Sequence, residues 1–199
     1  MNVELLTKTE HIADMERAAA YAALTCRANT DRDFVAAEVL NRIITAGHES
    51  VLEHINLTYS IKGISRALLQ EVARHRHISL SVESTRHTLR KILKTDTLEE
   101  YCGDNDNLLE FAANFAEFAR KHRDMPNDEL KYYVPEFLPT NLVLTSNIRE
   151  LRHIIKLRSA PAALKEFREL ARAMYEAVPE QFKYLLKDCV HNEAGNDTN

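Results

Sequence analysis

Apolar residues recur along this chain with two periods, and each period predicts a different element. The alternation Ile55, Leu57, Tyr59, Ile61 predicts a half-buried strand over residues 54–62. Residues 3–6 and 140–145 read as two further short strands. Helical spacing governs most of the rest. Thr9 is a candidate N-cap for a helix carrying Ile12, Met15, Ala19 and Ala22. Residues 31–46 predict a second helix, with Phe34, Val35, Val39, Ile43 and Ile44 on one face and a stop at Gly47. Ser65 caps a predicted helix over residues 66–74, and residues 108–122 are strongly periodic. Residues 147–157, 162–177 and 180–187 complete the helical set, separated by Pro161 and Pro179. Residues 89–93 are too short to assign. Helices outnumber strands and are not regularly interleaved with them, which predicts a mixed α/β fold of α+β type.

Composition changes this picture little. A chain of 199 residues, 45% hydrophobic, is long enough for one domain with a sizeable core, here placed at residues 1–190. The polar residues 191–199 are expected to form a disordered tail. No apolar run approaches the roughly 18 residues of a membrane span, and MNVELLTKTE lacks the pattern of a secretory signal. Cys26, Cys102 and Cys189 lie far apart, so no disulfide framework is expected, and the setting reads as reducing and cytoplasmic. Cys26 is placed in a core helix. With 26 basic against 30 acidic residues the net charge is −4, which argues against bulk nucleic-acid binding but leaves room for a local basic patch.

Three blocks could carry chemistry. Residues 74–86, RHRHISLSVESTR, gather three arginines, two histidines and three serines behind a predicted helix. Arginine forks suit phosphate through paired, charge-assisted hydrogen bonds; the competing reading is a solvated basic loop. The block GHESVLEH, residues 47–54, joins a helix end to a strand. Its histidines and glutamates hint at a metal, but the spacing is not HExxH, so no metal is expected. Hydrogen bonding by Ser50 and Glu53, or a plain turn, remains. Residues 147–158, NIRELRHIIKLR, present a charged helix face, with Arg149, Arg152 and Lys156 on one side. Arg158 ends that helix, where a side chain can reach into a cleft. GxSxG, Walker A and GxGxxG patterns do not occur.

Taken together, the blocks resemble the flavin-dependent thymidylate synthases. Arg74-His75-Arg76 followed by Ser84 and Arg86 matches that family's signature. GHESVLEH, the Ser65-Arg66 pair, and the series Asn147, Arg149, His153, Arg158 are also similar to the family, in the same order. The resemblance implies an α/β fold with a sheet flanked by helical groups. It implies methylation of dUMP to dTMP, with methylene-tetrahydrofolate as carbon donor and FAD, reduced by NADPH, as hydride source. It also implies a homotetramer whose active sites draw on several subunits. No nucleic-acid or membrane partner is expected.

Roles carry over by position. His48, Ser50, Glu53, Arg74, His75, Arg76, Asn147 and His153 match FAD-contacting positions. Glu71, Arg74, Ser84, Arg86 and Lys131 match positions that hold dUMP, the last by pairing Val134-Pro135 with the family's Leu-Pro step. Arg158 matches the arginine that meets the uracil ring, and is assigned as the catalytic group. The chain departs from the common pattern at Ser81-Val82, where Asn-Glu is usual. It departs again at His87, in place of a tyrosine, and at residues 159–163, where a histidine is missing. Two alternatives stay open: a flavin- and pyrimidine-nucleotide-binding paralogue with another base modification, and a non-catalytic nucleotide-binding module.

Overall fold

The computed structural model describes residues 1–30, 33–93 and 95–191. Apart from His191, the expected tail lies outside the described residues, as do Asp31 and Arg32 of the predicted second helix. In chain order the elements are β1 (Asn2–Leu5), α1 (Thr9–Thr25), α2 (Ala36–Thr45), a 3-10 helix at Glu49–His54, β2 (Asn56–Ser65) and α3 (Arg66–Val72). Next come β3 (Ile78–Val82), α4 (Thr85–Ile92), α5 (Thr95–Cys102), α6 (Asp106–Lys121), α7 (Asn127–Leu130) and β4 (Pro139–Asn147). Helices α8 (Ile148–Arg158) and α9 (Lys165–Glu176) precede 3-10 helices at Glu180–Leu185 and Lys187–Cys189.

The four strands form one antiparallel sheet in the order β1-β2-β4-β3. Its register is visible in single amides: Leu6 N–H donates to the Thr58 carbonyl, Ile148 N–H to Ile55, and Arg66 N–H to Leu138. The mixed α/β class expected from the sequence is the observed one, and the antiparallel sheet places it at the α+β end. The period-two reading of β2 is equally clear, since Leu57, Tyr59 and Ile61 are all buried.

Other elements differ from expectation. The second helix begins at Ala36; Val35 is its extended N-cap and is 59% exposed, so it does not share the buried face. Its far end is as expected: Gly47 takes a φ of +70°, and the His48 and Gly47 amides close back onto the Ile43 and Ile44 carbonyls. Residues 74–86 are not simply a loop, because the alternation Ile78, Leu80, Val82 becomes the edge strand β3. Cys26 is exposed at the end of α1 rather than in a core.

The described chain divides into two compact units. The first comprises Met1, Lys62–Arg74 and Ser81–Leu142. Its core gathers Leu89, Leu98, Cys102, Phe115, Leu130 and Leu138, with Ala112, Ala116 and Ala119 forming the apolar stripe of α6. Ser65 accepts from the Leu68 amide and Asn105 from the Leu108 amide, capping α3 and α6. Arg90 donates to the carbonyls of Ala119, His122 and Met125 at 3.2, 3.1 and 2.7 Å, satisfying groups left bare where α6 ends.

The second unit comprises Asn2–Ile61, His75–Leu80 and the chain from Val143 onward. Here α1 packs on α2 and on the 3-10 helix Glu49–His54, and α8 packs on that same 3-10 helix and on α9. Tyr59 is fully buried, burial raises its pKa, and its hydroxyl meets no partner among the described residues. An unpaired buried hydroxyl opposes folding by about 1 kcal/mol. Tyr59→Phe is therefore expected to raise the thermal midpoint by roughly 2–4 °C; a fall in a melting curve would show a lost partner instead.

Candidate functional site

The second unit builds its site on the first two turns and the last turn of α8. Asn147 is the N-cap of that helix, its Oδ1 accepting from the Glu150 amide at 2.9 Å. Two turns of helix then place Arg149, Glu150 and His153 along a cleft of about 580 Å³, which Glu49, Glu53, His77 and Asn147 also line. Arg149 donates to Glu53 at 2.5 Å. Of the sequence-assigned flavin positions, Glu53, Asn147 and His153 thus line one cleft. His48, Ser50 and Arg76 are exposed and do not line it.

The preceding carboxylate, Glu49, faces inward. The buried Arg152 donates its Nε to Glu49 at 2.9 Å, its Nη1 to the Leu185 carbonyl at 2.6 Å, and both Nη atoms to Asp188 at 2.7 and 2.6 Å. One guanidinium thereby ties the Glu49–His54 turn and the C-terminal 3-10 helices to α8. Its hydrogen bond holds the Asp188 carboxyl below the usual aspartate range. Cys189 beside it is buried, and burial pushes its thiol up to about 11. It is not a thiolate nucleophile at neutral pH.

At the other end of α8, Arg158 donates from Nε to His75 Nε2 at 3.2 Å. Its guanidinium lies over the ring of Phe167, 4.7 Å from the centroid. The His75 ring meets Phe167 and His153 edge-on, both at 5.9 Å, and its Nδ1 lies 3.3 Å from Glu150 Oε1. Burial and the Arg158 charge lower the His75 pKa, and Glu150 opposes that shift. His75, Glu150 and His153 offer ligand atoms within 4.8 Å of one another. The Arg158 proton on His75 Nε2 and the adjoining positive charge make this a poor cation site.

The first unit carries the remaining assigned residues. Arg86 and Lys131, distant in sequence, meet on one carboxylate: Asp128 pairs with Arg86 at 2.8 Å and with Lys131 at 3.4 Å. Asn127 donates to the Arg86 carbonyl at 2.7 Å, fixing the turn. Ser84 is the exposed N-cap residue of α4, two positions before Arg86. Glu71 and Arg74 pair at 3.5 Å on the last turn of α3 and just beyond it.

Sequence reasoning assigned no role to Asp128, Glu150 or Phe167. Asp128 and Phe167 gave no local signal. Glu150 gave a partial one, because an acidic residue three positions after an Asn cap marks a helix start. The departures from the common pattern are also placed. Ser81 and Val82 are exposed at the end of β3, and Ser159 is the buried C-cap of α8, donating to the Cys189 carbonyl at 3.4 Å. A second groove, beside α1 and including Asp14, Arg17, Tyr21 and Phe34, is lined by none of the assigned residues.

The fold is mixed α/β, and these two groups of side chains, one in each unit, are rich in arginine and histidine. Comparison with known proteins makes this specific. Residues 4–182 match the family model described as thymidylate synthase complementing protein. The flavin-dependent thymidylate synthase of Campylobacter jejuni is 42% identical, over 73% of this chain and 76% of that protein. That of Helicobacter pylori is 36% identical, over 72% and 76%. A crystal structure of thymidylate synthase X from Helicobacter pylori with FAD and dUMP superimposes with a TM-score of 0.82 at 31% identity, covering 96% of this chain and 100% of that one. The chain belongs to the flavin-dependent thymidylate synthase family.

Proposed function

We propose that this enzyme converts dUMP to dTMP, taking the one-carbon unit from methylene-tetrahydrofolate, and that it acts in the cytoplasm as a homotetramer with shared active sites, residues 1–190 forming its functional domain. FAD, reduced by NADPH, supplies the hydride when bound. The polar cleft along α8 suits such a group: Arg149, Asn147, His153 and His77 are hydrogen-bonding side chains of the kind a flavin's carbonyls and phosphates require. His48, Ser50, Glu53, Arg74, His75 and Arg76 complete the proposed flavin contacts.

The observation that carries the reading is the setting of Arg158. A guanidinium pinned by His75 and Phe167 at a helix end is a fixed positive charge. Placed against the uracil oxygens, it stabilises negative charge there as the ring acts as nucleophile at carbon 5. Arg86 and Lys131 meet the nucleotide phosphate, with Ser84 at a helix start beside them and with Glu71 and Arg74 at the end of α3. Phosphate competes with Asp128 for both cations.

Product analysis tests this. The purified protein is incubated with FAD, NADPH, methylene-tetrahydrofolate and dUMP, and the nucleotide is identified by mass. The expected product is dTMP, formed only when flavin and NADPH are both present; unchanged dUMP from protein that holds both ligands rejects the reading. A narrower result concerns the phosphate. A charge-assisted hydrogen bond contributes about 1.5–3 kcal/mol, so Arg86→Ala is expected to raise KM for dUMP about tenfold or more. The same variant should discriminate less between dUMP and deoxyuridine, and unchanged discrimination places the phosphate elsewhere.

A further inference from the structure

We propose that Glu150 is a positioning residue for Arg158, acting through the imidazole of His75. The proposal rests on the reading of Arg158 as the group that meets the substrate base.

The proton between Arg158 and His75 has no choice of owner. Arginine Nε carries its hydrogen at any working pH, so at 3.2 Å the nitrogen facing it, His75 Nε2, must be the acceptor. A neutral imidazole that accepts at Nε2 holds its proton on Nδ1. That atom lies 3.3 Å from Glu150 Oε1, and the two side chains are 6% and 13% exposed. The carboxylate accepts the Nδ1 proton and so selects the tautomer that can receive Arg158. The opposite tautomer, or the imidazolium, would set one N–H against another. The plane of the guanidinium is thus set by a chain of two hydrogen bonds, with the Phe167 ring beneath it.

Asn147 caps the helix through the Glu150 amide, while the Glu150 carboxylate lies against His75. In a capping box the third helical carboxylate folds back onto the cap; here it turns to His75. The helix that presents Arg158 at its last turn also supplies, from its first, the group that orients it. The groups facing His75 from α8 are Glu150, His153 and Arg158; α9 contributes the uncharged Phe167.

The test combines a spectrum with kinetics. In protein labelled with nitrogen-15 at histidine, the His75 signals, identified by their loss in His75→Gln, should show a protonated Nδ1 and a bare Nε2. In Glu150→Gln that pattern should become mixed or reversed, because an amide can donate as well as accept. The variant's kcat is expected to fall about tenfold, the effect of one lost charged hydrogen bond, with KM for dUMP changed less. Its acid limb should also move to lower pH, because the charge that favours protonated His75 is gone. A merely structural defect would not move the limb in that direction. A protonated Nε2 in the parent protein overturns the proposal, as does a variant with parental kcat. Should the parent make no dTMP, the reading of Arg158 fails, while the spectrum still decides whether Glu150 sets the tautomer of His75.

Discussion

Arg158→Ala is expected to form dTMP about 10²–10³-fold more slowly than the parent while folding normally, the loss typical of removing one preorganised charge-stabilising donor. The guanidinium is half-buried at the last turn of α8, and its contacts include His75 and the face of Phe167. Truncation leaves a neutral imidazole, which is satisfied by Glu150, and an aromatic ring, which is satisfied by packing. Neither of these two is left as a stranded charge, and the expected loss is in turnover, because the charge aimed at the substrate base is gone. A rate assay with mass identification of the product, beside a thermal melt, separates the two. Parental turnover with an unchanged melt would remove Arg158 from the chemistry. Arg158→Lys keeps the charge but not the fork, and is expected to recover only a small part of the rate.

The second large effect is on stability. Arg152→Ala should cost about 3 kcal/mol, because the buried guanidinium's charge-assisted hydrogen bonds to Glu49, Asp188 and the Leu185 carbonyl are all lost. In a chain of this size that is a fall of roughly 10 °C in thermal midpoint. The pH dependence has a definite sign. The Asp188 carboxyl is held below its ordinary value of 3.8 by the hydrogen bond from Arg152. Its contribution is complete above 3.8 and fades as pH falls through the lower, folded-state value. The stability gap between parent and variant should therefore narrow as unfolding is followed below pH 3.8. A gap that widens in acid would assign the stabilisation elsewhere.

The contrast between these two arginines shows what could be read from the sequence. Arg152 and Arg158 lie on one helix, and the pattern of residues 147–158 placed both on it. Position at the helix end singled out Arg158. The burial of Arg152 depends on Leu185 and Asp188, more than thirty positions away, and no local pattern announces that. The same division runs through the fold. Alternation marked β2, and caps marked α3 and the stop after α2, because those are local steric and hydrogen-bonding facts. The edge strand β3 was hidden because its residues are exposed or only half-buried, so burial gives little contrast between its faces. Helix α5 was missed because Leu98 and Cys102 gain their meaning from Phe115 and Leu138. Resemblance to a family named the site residues without placing them. Bringing Arg86 and Lys131 together required Asp128, to which no motif drew attention.

The order of strands in the sheet also bears on how the chain is made. Its central strands are β2 and β4, whose paired ends, Ile55 with Ile148 and Arg66 with Leu138, lie 93 and 72 positions apart in a chain of 199. During synthesis, β1 and β2 can meet early, but β2 waits with one open edge until β4 has left the ribosome. Loop closure over such a span is slow, and an unpaired apolar strand is the hazard of the interval. The burden of nascent-chain protection in this protein falls on the time between translating β2 and translating β4.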